Sequence, residues 1–103
     1  MSLVQKINAL TAGILDPRIK LEIAKTINFL FGVYCTGRVS EEEIRSDLID
    51  ICKSILEETN PDLLEEDKRK RANFLADELL RTFKIEGMSK RALARYQRYT
   101  ITY

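Results

Sequence analysis

Apolar side chains recur at steps of three and four residues along almost the whole chain, and the breaks in that rhythm coincide with residues that start or stop helices. This spacing places one apolar stripe on each of a series of helices and predicts an all-α fold. Leu3, Ile7, Leu10 and Ile14 predict a first helix over about residues 2–15. Asp16-Pro17 closes it and opens the second, because Asp caps a helix and proline is preset for its first turn. The second helix, reaching residue 35 or 36, carries Ile19, Ile23, Ile27, Leu30, Phe31 and Tyr34 on one face. Phe29 and Val33 make its second half apolar nearly all round, as expected of a central helix.

Gly37 suits a left-handed C-cap, and Val39-Ser40-Glu41-Glu42-Glu43-Ile44 reads as a capping box between Ser40 and Glu43 with a Val39–Ile44 staple. A third helix over about residues 41–58 then presents Ile44, Leu48, Ile51, Cys52 and Ile55, antiparallel to the second. Asn60-Pro61 repeats the cap-plus-proline signal and predicts a fourth helix that ends near Lys84. Its front holds the acid-before-base pairs Glu65/Arg69, Glu66/Lys70 and Asp67/Arg71, and its back turns Ala72, Leu75, Ala76, Leu79 and Phe83 towards the core. Gly87 as a turn and Ser89 as a cap predict a fifth helix to about Tyr99. The expectation is one domain over residues 1–103, a compact bundle of about five helices, with residues 98–103 read as a flexible tail.

Several chemistries are missing from the residues themselves. The chain has no histidine, which removes Ser-His and Cys-His catalysis and the commonest metal ligand. Its two cysteines, Cys35 and Cys52, match no zinc spacing, and the hairpin geometry sets them beyond disulfide reach. None of the four glycines falls in a phosphate-cradling or dinucleotide pattern. Glu43, Asp47 and Asp50 share a helical face and offer carboxylates to a divalent cation, but acids in the first turns of a helix also simply favour its dipole. The reading is therefore no enzyme, no cofactor and no metal. The longest apolar run, residues 29–35, falls far short of the roughly 20 residues that cross a bilayer, and no secretory pattern opens the sequence. A cytoplasmic protein without a membrane partner is expected.

Charge is sharply segregated. Residues 1–40 hold five bases and two acids, residues 41–80 six bases and thirteen acids, and residues 81–103 six bases and one acid, a net of +5 in the last stretch. Within it Arg91, Arg95 and Arg98 recur at i, i+4 and i+7, inside about 60° of helical arc, with Tyr96, Tyr99 and Tyr103 nearby as stacking surfaces. Lys84, Lys90, Arg91, Arg95, Arg98 and Tyr99 are accordingly the candidate residues for nucleic acid or a partner. The arginines could equally cover the acidic faces of helices three and four.

Residues 79–98, with Gly87 in the turn, Met88 inward, Ser89 capping and Leu93 and Tyr96 buried, resemble a helix-turn-helix segment. That resemblance implies a recognition helix presenting Lys90, Arg91 and Arg95 to DNA. The expected function is a small non-catalytic binding protein that contacts nucleic acid through a basic C-terminal helix. The alternative is a helical adaptor or accessory subunit with a protein partner and no nucleic-acid affinity. The apolar surface of the first two helices exceeds what a small bundle readily covers, so a homodimer is the expected state.

Overall fold

A computed structural model describes residues 2–101, with side chains described as far as Met88. Four helices form, α1 (Leu3–Thr11), α2 (Pro17–Thr36), α3 (Glu41–Thr59) and α4 (Glu65–Ile101), and no strand occurs among the described residues. The all-α bundle is as expected, but with four helices rather than five.

Local chemistry explains most of the boundaries. Ser2 and Gln5 form a complete capping box on α1, the Ser2 hydroxyl accepting from Gln5 N while Gln5 Oε1 accepts from Ser2 N. Asp16 caps α2 by accepting from Arg18 N at 2.9 Å, with Pro17 in the first turn. Gly37 closes α2 at φ 71°, where a side chain would be strained, and its N–H donates to Tyr34 O. Ser40 caps α3 by accepting from Glu43 N.

Three boundaries differ from the reading of the sequence. α1 stops at Thr11 rather than near Leu15: Ile14 N donates to Thr11 O in a tight turn that still delivers the Ile14 side chain to the core, so apolar spacing outlasts the helix. Asn60-Pro61 starts a loop, in which Leu63 N donates to Asn60 O. α4 begins only at Glu65, where Glu65, Glu66 and Asp67 place negative charge at the positive end of the helix dipole. The third difference is Gly87, which lies inside α4 rather than in a turn. The helix-turn-helix pair is therefore not formed. One helical glycine costs only about 1 kcal/mol relative to alanine, and α4 carries it between runs of good helix formers. Residues 98–101, expected in the tail, belong to the same helix. Residues 102–103 lie outside the described residues.

α4 is the spine. Leu3 and Lys6 of α1 meet Glu86 and Glu78, Phe31 and Tyr34 of α2 meet Phe83 and Gly87, and Glu41 and Arg45 of α3 meet Lys84 and Asp77. α1 and α3 thus run antiparallel to α4, and α2 runs parallel to it. Ile27, Ile44, Leu48, Cys52, Leu79 and Phe83 are fully buried at the centre. Ala72 and Ala76, also fully buried, allow α3 and α4 to approach closely. The Phe83 ring packs at 5.2 Å from Phe31 and 5.8 Å from Tyr34, tilted in both cases, and joins α4 to α2.

Both cysteines are free thiols. Burial without a charged partner pushes the Cys52 thiol up to about 12, so it behaves as a small apolar group.

Candidate binding surface

The far end of the bundle is defined by where three helices stop. α1 begins at Leu3, whose N–H donates to Glu86 Oε1 at 3.1 Å. α2 ends beside Gly87: a Cβ there would stand 3.2 Å from Tyr34 Cε1, so the missing side chain lets the tyrosine ring lie against α4. α3 begins at Glu41, whose carboxylate is 3.4 Å from Lys84 Nζ. α4 alone runs on, from residue 88 to 101, a further ~20 Å at the helical rise. The longest dimension of the molecule, 59 Å against 27 and 20 Å, follows the length of this one helix.

Helical continuity through Gly87 regroups the candidate residues. Lys84 joins Arg91, Arg95 and Arg98 inside one strip about 60° wide, since positions seven apart nearly eclipse. Lys90 falls about 100° away from that strip, and Tyr99 borders it next to Arg95. Lys84 is exposed; the side chains of Lys90, Arg91, Arg95, Arg98 and Tyr99 lie outside the described residues. Arg81, exposed one turn before Lys84, extends the basic region and escapes a reading that ends the helix at Lys84.

Within the bundle, the flank of α4 that carries the strip is neutralised by α3. Arg45 Nε donates to Asp77 Oδ1 at 2.7 Å and Nη2 reaches Oδ2 at 3.4 Å. That hydrogen bond holds the Asp77 carboxyl below its usual range, with a further contribution from the charges of Arg45 and Arg81, and raises Arg45 in turn. Lys84 with Glu41 is the next pair along the flank. Past Glu41 the α3 helix has ended, while the strip on α4 continues with three arginines. The acidic face of α3 runs the other way along the bundle.

That acidic face is a second charged surface. Glu43, Asp47, Asp50 and Glu57 are all exposed along the outer side of α3. Among the described residues no group of three or more His, Cys, Asp or Glu side chains is placed to hold a metal ion. Of the three acid-before-base pairs read from the front of α4, Glu66 and Lys70 come within 3.7 Å, while Glu65 reaches Lys68 instead. An indentation between α3 and α4 is lined by Lys53, Glu65, Glu66 and Arg69, all exposed to water that screens their charges. Among the described residues no helix is long and apolar enough to cross a membrane.

No family model, curated protein or solved structure matches this chain.

Proposed function

We infer that this protein is a non-catalytic binding protein whose basic strip at the end of α4 contacts the phosphates of a nucleic acid. The observation that carries this reading is the run of α4 past the first residue of α3. In the bundle the same flank meets Arg45 and Glu41, which settle its charges; beyond them the sequence supplies Arg91, Arg95 and Arg98. Guanidinium groups bind phosphate oxygens through paired hydrogen bonds, and a row of them at one-turn intervals follows a phosphate backbone without reading bases.

The test is fluorescence anisotropy of labelled duplex and single-stranded DNA across a salt series. About four phosphate contacts predict a slope of log affinity on log salt near −3 to −4. Replacing Arg91, Arg95 and Arg98 by glutamate together should abolish binding while helical circular dichroism is retained. Absence of binding by the parent chain at low salt would overturn the reading. The exposed acids along α3 favour a second reading, a helical adaptor that docks on a basic protein partner, and that reading would then stand.

A further inference from the structure

The side of α4 opposite its core face carries a second pattern, which shares Arg95 with the basic strip. Phe74, Ile85 and Met88 are 62%, 62% and 69% exposed, and Arg81 between them is exposed as well. Counted in sevens, Phe74, Arg81, Met88 and Arg95 occupy one heptad position, and Glu78, Ile85, Ala92 and Tyr99 the other. Alternating steps of four and three over residues 74–99 make the seam of a two-stranded coiled coil. The seam lies opposite Ala76, Leu79 and Phe83, which face the core, and borders α1, whose Lys6 already pairs with Glu78.

We propose that this seam pairs with the same seam of a second copy, the two α4 helices running antiparallel about a two-fold axis between Glu86 and Gly87. The charges select that arrangement. With the axis there, Glu78 is opposite the partner copy's position 95, an arginine, and Phe74 is opposite position 99, a tyrosine. Ile85 faces position 88, a methionine, and Arg81 faces position 92, an alanine. The two-fold repeats each layer, which gives eight layers over the length of the seam. Leu75 and Tyr96 fall opposite one another at its edge, as do the opposite charges of Asp77, already held by Arg45, and Arg98, and the like charges of Lys84 and Arg91. A parallel pair would instead stack Glu78 on Glu78, Arg81 on Arg81 and Arg95 on Arg95, three like-charge layers in one seam. Sliding the antiparallel pair by one heptad sets Arg95 against Ile85 or Glu78 against Met88.

The arrangement also fits the shape of the molecule. Each bundle lies along residues 65–87 of its own α4, so antiparallel pairing about Glu86 and Gly87 sets the two bundles end to end. Each α4 extension then lies along the outer face of the partner's bundle. Arg91 and Arg98 take edge positions of the seam while Arg95 falls within it, so pairing withdraws one arginine from the basic strip and leaves Lys84 and Arg91 beside the seam.

The experiment is cysteine cross-linking in a chain carrying Cys35→Ser, with mass measured by light scattering over a concentration series. Arg81→Cys together with Ala92→Cys should give a disulfide-linked dimer under mild oxidation. The two positions are eleven residues apart on one helix, ~16 Å, and cannot bridge within a chain. Arg81→Cys alone should stay uncross-linked, because its antiparallel counterpart is that same distance away. Met88→Asp, at an exposed position, should halve the mass without loss of helical circular dichroism. A parent chain that remains monomeric into the high micromolar range overturns the proposal, and so does efficient cross-linking of Arg81→Cys by itself. Mass is read without nucleic acid, so this interface and the phosphate-binding reading fail separately.

Discussion

The first 23 residues of α4 and its last 14 form one continuous helix and are built on opposite principles. In the bundle segment, Ala72, Ala76, Leu79, Leu80 and Phe83 bury the inward face, and the outward face is broken by Glu78 and Arg81. After Gly87 the positions continuing the inward face are Lys90, Ala94, Gln97 and Ile101, while the outward face continues as Met88, Ala92, Arg95 and Tyr99. The inward face loses its run of large apolar residues where α1, α2 and α3 stop. A helix can therefore serve two environments in succession with no break in its backbone, provided the residues at the crossover tolerate both. Gly87 does so by having no side chain against Tyr34.

The most severe way to break this comparison is to damage the bundle segment. Phe83→Ala removes a fully buried ring that contacts both Phe31 and Tyr34. It should cost about 3–5 kcal/mol in urea denaturation, a large share of the total stability of a small domain. A matched pair sharpens the contrast. Ala76→Gly loses helix propensity and a fully buried methyl, together about 2 kcal/mol of global stability, whereas Ala94→Gly should lose no more than the propensity term, below ~1 kcal/mol. Equal losses in the two variants would mean that both halves of α4 unfold as one packed unit.

The effect confined to alkaline pH concerns the dryness of the core. In the folded chain Cys52 titrates well above its ordinary value of 9.0, at about 12. Above pH ~9 the unfolded state therefore releases a proton that the folded state keeps, and stability falls as pH rises through that window. Relative to Cys52→Ala, the parent chain should lose roughly 1.4 kcal/mol more per pH unit once above pH ~9, measured by urea denaturation at a series of alkaline pH values. Parallel stability curves for the two proteins would show that water reaches Cys52.

What could be read from the residues was mainly what local chemistry decides. The Asp16-Pro17 start and the Gly37 stop need only neighbouring atoms and form as expected, and of the box expected at Ser40 the half from Glu43 N to the Ser40 hydroxyl forms. Asn60-Pro61 carries the same signal as Asp16-Pro17, yet the helix starts at Glu65; a proline suited to a first helical turn is equally suited to a loop. The break in the inward apolar run near Gly87 was read as a turn, but it has two structural solutions. A turn that re-aims a fifth helix produces it, and so does one helix that exchanges its partners. Periodicity cannot separate them, because it records which face is apolar and not what lies against that face. The same ambiguity split the candidate surface: the i, i+4, i+7 arginines were visible, while adding Lys84 and setting Lys90 apart required continuity across the glycine.

The placement of α1 has a consequence for the order in which contacts become affordable in entropy. α3 and α4 are joined by residues 60–64 alone, so their pairing closes a very short loop. The bond from Lys6 to Glu78 spans 72 residues, and that from Leu3 to Glu86 spans 83. Closing the longer loop from an open chain costs roughly 2 kcal/mol more than closing the short one, because closure entropy grows with the logarithm of length. The hairpin of α3 and α4 is thus the natural nucleus, and α2 shortens the path along which α1 is drawn in. α1 is the helix whose docking most depends on all the others, and it fastens the spine just where α4 leaves the bundle.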